Sequence, residues 1–360
     1  MAEHASAPTS AGLMPVRDGH QFDITKLEHW MRINVEGHMG PVTVRQFSGG
    51  QSNPTYLIST PVRNYVLRRQ PSGLLLKGAH AVDREAHVQS ALRQTSVPVA
   101  RIFGTCVDPE IIGTKFYLME LVEGRIFWDA TFPDVSLIER PKYFLAMNEA
   151  LGDLHRLDPT ALGLSEFGRP GGYVERQIKR LSDQYLADTE AGRDPNMDRL
   201  IEWLAQTKPQ HDAHHAIVHG DFRCDNLIFH PTEPKIVAIL DWELATLGHP
   251  LADFAYHAMM YRMPGHIVAG LAGADLTGLN IPSEEEYLAL YAERSGLSST
   301  ADYDYFVAFS FFRLAAIIHG IKGRLARGTA ASADASERVK SLPELTELAW
   351  EQARRAGAKK

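Results

Sequence analysis

The sequence predicts an α+β fold in two parts, a smaller antiparallel sheet with one helix followed by a larger helical part. Three observations predict it. Short alternating apolar runs crowd residues 42–120. Helical periodicity dominates from Phe127 onward, and one further pair of apolar runs, residues 227–229 and 236–240, interrupts those helices.

Taken in order, residues 1–20 are small and polar and are expected to be a disordered tail. They lack a basic start followed by an apolar run, so no secretory leader is expected. The runs VTVRQF, TYLIST, NYVLRR and KFYLMELVEG read as strands, with a turn-rich SGGQSNP after the first and a break at Pro61. A helix is expected from about Ala81 to Gln94. Composition shifts at residues 120–124, which predicts a first part over 21–119, a hinge at 120–124 centred on Gly124, and a helical part over 125–355. In YFLAMNEALGDLHRLD, Phe144, Met147, Leu151 and Leu154 share one helical face. YVERQIKRLSDQYL has the same spacing.

Bulk properties narrow the function. The chain has 360 residues, 44% of them hydrophobic, enough for one large core or two moderate ones. A formal charge of -7 disfavours general nucleic-acid binding, which needs a basic footprint. Cys106 and Cys224 make neither a disulfide framework nor a four-ligand zinc site, so reduced thiols in a cytoplasmic protein are expected. The apolar stretch FVAFSFFRLAAIIHGI carries Arg313 and His319, so it reads as a buried helix and not as a membrane span.

The chemistry is concentrated in VHGDFRCDNLIFHPTEPKIVAILDWE. Pro231 and Pro234 bracket a turn, which makes the two apolar runs around it a hairpin. Antiparallel pairing places the start of one strand beside the end of its partner. Asn226 and Asp241 therefore fall side by side, offering an amide oxygen and a carboxylate, hard donors suited to Mg²⁺. Asp221, on the preceding loop, is placed to orient a hydroxyl and accept its proton.

This pattern, HGDxxxxNL followed by a strand and ILDWE, resembles the aminoglycoside phosphotransferase family, a small-molecule branch of the protein-kinase-like fold. The resemblance covers about residues 42–327. Within the family, the strings FSGGQSNPTYLI, YVLRRQPSG, AHAVDREAHV, LMELVEGRIF and ILDWELATLGHPLADFAY are similar to the kinase-like domain fused to some acyl-CoA dehydrogenases. The dehydrogenase domain itself is not expected in this chain. The resemblance implies a two-lobed kinase-like fold and transfer of a γ-phosphoryl from ATP or GTP to a small-molecule hydroxyl. It also implies Asp221 as catalytic base, Asn226 and Asp241 as Mg²⁺ ligands, and His219 as a brace of the catalytic loop.

The upstream residues are consistent with that reading. Backbone amides of Gly49, Gly50, Gln51, Ser52 and Asn53 are candidates to approach phosphates. Val66 and Arg68 alternate onto one strand face, where Val66 would roof an adenine and Arg68 reach a phosphate. Relatives of this kind often carry lysine there, and Arg69 follows immediately. Glu85 stands among Ala81, Val88 and Leu92 on one helical stripe, and a carboxylate there needs a partner, which a kinase-like arrangement supplies as Arg68. Backbone groups of Glu120 and Val122 would hold the base. His155 is expected to be structural, Asp253 to anchor the catalytic loop, and Cys224 to fill space. The cluster His211, His214 and His215 reads as a polar loop. A basic set, Arg313, Lys322, Arg324 and Arg327, is a candidate to face the phosphates of a CoA group. The favoured acceptor is a hydroxyacyl-CoA-like metabolite. The alternatives are an aminoglycoside or other antibiotic, a catalytically silent nucleotide-binding regulator, and a protein kinase, the last disfavoured because no APE-like segment follows Asp241. No nucleic-acid partner and no membrane insertion are expected.

Overall fold

The computed structural model describes residues 12–48, 53–73, 80–169, 171–209, 215–329 and 335–359. They form two compact units. The first runs to Ile126 and takes in Leu162–Leu164 and Asp225–Ala245; the second comprises Phe127–Ala161, Ser165–Cys224 and Thr246 onward.

The first unit is an antiparallel sheet of β1 (Leu13–Met14), β2 (Thr43–Phe47), β3 (Thr55–Ser59), β4 (Asn64–Arg69), β5 (Ile102–Cys106) and β6 (Phe116–Glu120), in the order β1-β2-β3-β4-β6-β5. Its helices are α1 (Ile24–Asn34), α2 (Val82–Leu92) and the short α3 (Pro109–Ile112). Asp23 caps α1, accepting from the amides of Thr25 and Lys26. Alternation along β4 sends Tyr65 and Leu67 into a core with Leu27, Met31, Tyr56, Ile58, Phe116 and Leu118. The opposite sheet face meets α2 through Val82, Ala86 and Tyr117.

Three expectations change here, the first being that this unit carries three helices where one was expected. Residues 12–20 are not a disordered tail: Leu13 pairs with Phe47 and Met14 with Gln46, and the Arg17 amide donates to Gln46 Oε1. A two-residue strand carries too little alternation to be read from sequence. The hairpin β8 (Leu227–Phe229) and β9 (Ile236–Ile239) belongs to the first unit, not to the helical part predicted over 125–355. Its ties are backbone ones: Arg125 and Phe229 exchange both N–H···O bonds at 2.8 Å, and the Ile239 amide donates to the Pro98 carbonyl. These also recast Gly124. A Cβ there would lie 2.2 Å from the Phe229 carbonyl oxygen, so glycine serves close approach of two backbones.

The second unit contains α4 (Arg140–Arg156), α5 (Tyr173–Ala187), α6 (Pro195–Gln206), α7 (Pro250–Ala258), α8 (Glu284–Ser295), α9 (Tyr303–Ala326), α10 (Ala335–Lys340) and α11 (Leu342–Arg355). A short antiparallel ladder pairs β7 (Ala216–Val218) with β10 (Thr246–Gly248). Phe144, Met147, Leu151 and Leu154 are fully buried along α4, as their spacing predicts. Helix α9 is long and apolar enough by length and composition to cross a membrane, yet 83% of its most apolar window is buried inside the protein. It packs against α5, α7 and α11.

Candidate active site

The predicted site residues fall in both units, and each group is built within its own. In the first unit, the β8–β9 register pairs Leu227 with Ile239, and the Leu240 amide donates to the Asn226 carbonyl at 2.8 Å. The hairpin thus sets Asn226 beside the end of β9. Asp241 follows with φ 63° and ψ 62°, a left-handed conformation costly for a side chain with a Cβ. Trp242, almost fully buried, holds that turn by donating Nε1–H to the Ile239 carbonyl.

Arg68 and Arg69 separate by strand alternation. Arg69 points into the core of α1, where its guanidinium lies over the rings of Phe22 and Tyr56 and donates to the carbonyls of Ile112 and His20. Arg68 lies on the other face. Its Nε is 3.0 Å from Glu85 Oε2, and its Nη2 donates to Asp241 Oδ1 at 2.7 Å and lies 3.7 Å from Glu243 Oε2. The pairing of Glu85 with Arg68 is therefore present. Glu85 also accepts from Asn53 Nδ2 at 3.0 Å and Tyr117 OH at 3.1 Å. Burial lifts the Glu85 carboxyl to about 7 against the pull of Arg68, with Asp241 and Glu243 adding to the rise. Burial also disfavours the Arg68 charge, but Glu85 and then Asp241 outweigh it and hold its pKa above the ordinary value.

Three carboxylates thus face one guanidinium. Among the described residues no group of three or more acidic, histidine or cysteine side chains is arranged to hold a metal; of these three carboxylates Asp241, a hard oxygen donor, is the one most open to solvent. Glu243 escapes prediction from sequence, although its spacing two residues beyond Asp241 is visible. Val66 is buried on the same strand as Arg68. The Glu120 amide, proposed for base binding, already donates to the Arg101 carbonyl at 2.8 Å. Asn53 is fully buried, and its side chain serves Glu85 and, at 3.4 Å, Glu243. Gly49, Gly50, Gln51 and Ser52 lie outside the described residues, as do His211 and His214.

In the second unit, β7 ends at a sharp turn through Gly220, at φ 84°, which presents Asp221. Asp253, at the start of α7, clamps the turn. Its Oδ2 accepts the His219 amide at 2.7 Å and its Oδ1 the Gly220 amide at 2.8 Å. His155 Nε2 lies 3.1 Å from the same carboxylate, with its Nδ1 2.6 Å from Tyr291 OH. Burial pushes Asp253 upward, but the His155 hydrogen bond and the nearby imidazoles outweigh it and leave its pKa lowered. His219 is fully buried, and its Nδ1 accepts the Asp221 amide at 3.2 Å.

The Asp221 side chain accepts from Tyr256 OH at 2.8 Å, and Arg223 Nε lies 3.5 Å from the same oxygen. Burial first, and then Asp221, raises the Tyr256 pKa, so its hydroxyl stays a donor. Beneath Tyr256 lies the guanidinium of Arg313, 4.6 Å from the ring centroid, which also donates to the Gly220 carbonyl. Sequence reasoning missed Tyr256, although it stands three residues after Asp253 on one helix face. It also misplaced Arg313. The expected basic set does not exist as one surface: Arg313 is buried, Arg327 pairs with Asp188, and Lys322 and Arg324 are exposed.

Comparison with known proteins bears on the family and the fold. The model of the phosphotransferase enzyme family matches residues 43–291. A mouse protein, acyl-CoA dehydrogenase family member 10, is 41% identical over 95% of the chain. The chain spans only 32% of that relative's length. A crystal structure from Ralstonia eutropha, provisionally assigned as an aminoglycoside phosphotransferase, is 45% identical, covers 94% of this chain and 100% of its own, and superposes with a TM-score of 0.85. The aminoglycoside phosphotransferase APH(4)-Ia, solved with AMP-PNP and hygromycin B, shares the fold at 15% identity and a TM-score of 0.59, over 93% of this chain and 100% of its own. By the extent of the family match, this chain belongs to the phosphotransferase enzyme family.

Proposed function

We propose that the protein transfers the γ-phosphoryl group of a nucleoside triphosphate to a hydroxyl group of a small molecule. The observation that carries this reading is Arg68, which joins Glu85 on α2 to Asp241 at the end of the catalytic hairpin. Arg68 orients the phosphates, while Glu85 fixes its Nε end. Asn226 and Asp241 are the residues that would hold Mg²⁺, which when bound neutralises charge developing on the phosphates. Asp221 accepts the proton of the attacking hydroxyl, and Tyr256 keeps its carboxylate in one orientation. The clamp of Asp253 on the turn before Asp221 keeps that base fixed during transfer.

For the acceptor, we favour a hydroxyacyl thioester of coenzyme A over an aminoglycoside. The support is the 41% identity to an acyl-CoA dehydrogenase family member. A polycationic antibiotic also requires a dense acidic pocket, whereas two of the acids of α8 are engaged: Glu284 pairs with Arg262, and Glu286 closes the capping box with Ser283. The test is ADP release with 4-hydroxyacyl-CoA substrates and with kanamycin-type aminoglycosides at matched concentrations. Turnover of the thioester is expected. Robust turnover of the antibiotic with none of the thioester overturns the acceptor assignment, and no transfer from ATP or GTP to any hydroxyl overturns the reading as a whole.

A further inference from the structure

One end of the first unit's sheet carries a basic groove that Arg68, Glu85 and Asp241 do not line. It holds about 400 Å³, and its walls include Arg63, Arg93, Arg101, Phe103, Glu120 and Glu123. Past Arg93 and Arg101 it continues into a further hollow of about 470 Å³. All six residues belong to the first unit. Three separate segments bring the arginines together: the β3–β4 turn, the C-terminal end of α2 and the residue before β5.

One ring aims two of these arginines. Strand β5 bulges at Phe103: Ile102 pairs with Met119 and Gly104 with Leu118, so β5 has one residue more than β6 there. The guanidinium carbons of Arg63 and Arg101 lie 5.2 and 4.8 Å from the Phe103 ring centroid. A guanidinium lying over a ring keeps its N–H edge free for a forked acceptor. Arg63 and Arg93 have no ion-pair partner among the described residues, and Arg101 reaches the exposed Glu36 at 4.0 Å. A chain of formal charge -7 thus leaves three cations almost unneutralised in one groove, where they repel each other until an anion joins them.

We propose that this groove binds a small sugar phosphate, its phosphate held by the arginines and its hydroxyls by the glutamates. Guanidinium favours phosphate because its planar fork matches two phosphate oxygens. The groove has the volume of a small-ligand site, which suits a compact phosphate ester better than an extended polyanion. Glu120 and Glu123 repel a bare anion but accept hydrogen bonds from hydroxyls. Glu120 Oε2 accepts the Arg101 amide at 3.2 Å, which holds that carboxylate beside the arginine. The site stands independently of the phosphotransfer reading.

The test is calorimetry on the full chain at low ionic strength, with ribose 5-phosphate and inorganic pyrophosphate as probes. The proteins are wild type, Arg68→Met, Glu123→Ala, and Arg63→Ser combined with Arg93→Ser. Ribose 5-phosphate should bind wild type and Arg68→Met alike, and should lose about tenfold or more in affinity in the double variant. Glu123→Ala should weaken ribose 5-phosphate by about threefold and tighten pyrophosphate, since it removes a hydroxyl acceptor and a repelling charge together. The three substituted groove residues are exposed, and circular dichroism checks that their variants fold. Three results overturn the proposal: no binding of ribose 5-phosphate to wild type, equal binding by the double variant, or loss of binding in Arg68→Met alone, which puts the anion at the catalytic residues. Tightening of both probes in Glu123→Ala overturns the sugar and leaves a site for a bare anion.

Discussion

Arg68 and Asp241 are 173 positions apart in sequence and meet at 2.7 Å, Nη2 to Oδ1. The same guanidinium holds Glu85 through Nε at 3.0 Å. Arg68→Ala and Glu85→Ala should each lower nucleotide affinity or turnover. Combined, they should cost less than the sum, with a coupling of about 1–3 kcal/mol, because removing either leaves the other charge unpaired in a buried setting. A double-mutant cycle on kcat/KM and on nucleotide binding measures it. Strict additivity would show that the pair does not act as a unit.

Asp241→Ala should weaken Mg²⁺-dependent nucleotide binding more than Asp221→Asn does. On the proposed reading Asp241 supplies a charged oxygen ligand, whereas Asp221 acts on the acceptor hydroxyl. Calorimetry with ATP, with and without Mg²⁺, makes the comparison. Equal binding by wild type and Asp241→Ala in Mg²⁺ would remove Asp241 from the metal site.

Asp221→Asn should reduce transfer about 10²–10⁴-fold with nucleotide affinity nearly intact, the usual loss for a missing general base. Tyr256→Phe removes a 2.8 Å hydrogen bond to that carboxylate and should lower kcat by about tenfold, with little change in KM for nucleotide. Steady-state kinetics on both substrates reads this out. Wild-type kcat in Tyr256→Phe would mean that the hydroxyl does not position the base.

His257 supplies a pH dependence of stability. It is buried, its Nε2 lies 2.8 Å from Tyr287 OH, and burial pushes its pKa down to about 4 from an unfolded value of 6.5. Between these values the unfolded chain binds the extra proton, so stability rises with pH through that window and is lost on acidification below 6.5. At pH 5 the loss from this one group is about 2 kcal/mol. Urea midpoints at pH 7 and pH 5 should differ accordingly, and His257→Gln should flatten the difference. An unchanged slope in that variant would clear His257 of the effect.

Asp253→Ala should destabilise the protein by about 3 kcal/mol or more, since it leaves the His219 and Gly220 amides without an acceptor in a buried turn. The sign at acid pH is that of a depressed carboxyl: its contribution is present above the unfolded pKa of about 4 and is lost as pH falls through the lower folded value. Denaturation midpoints for both proteins at pH 7 check the first statement. A shift under about 0.5 kcal/mol would show that the clamp contributes little.

By itself the sequence determined strands β2, β3, β4 and β6, helix α2, the buried face of α4 and the β8–β9 hairpin, because period and turn residues are local signals. It also determined that Asn226 and the end of β9 are neighbours, since an antiparallel register follows from the turn between two strands. That Glu85 needs a partner was legible because it is a carboxylate on an apolar stripe, and the resemblance to kinase-like proteins named Arg68 as that partner. Tertiary structure decided what depends on distant chain segments. It showed that Arg68 reaches Asp241 and that Arg69 does not, that Arg313 lies under Tyr256 instead of facing a phosphate, and that residues 12–20 complete a sheet edge. Those outcomes turn on which side chain a long cationic group meets once the core has closed. Arg313 carries the same charge on a surface or under a ring, and only packing of α9 against α7 places it beneath Tyr256.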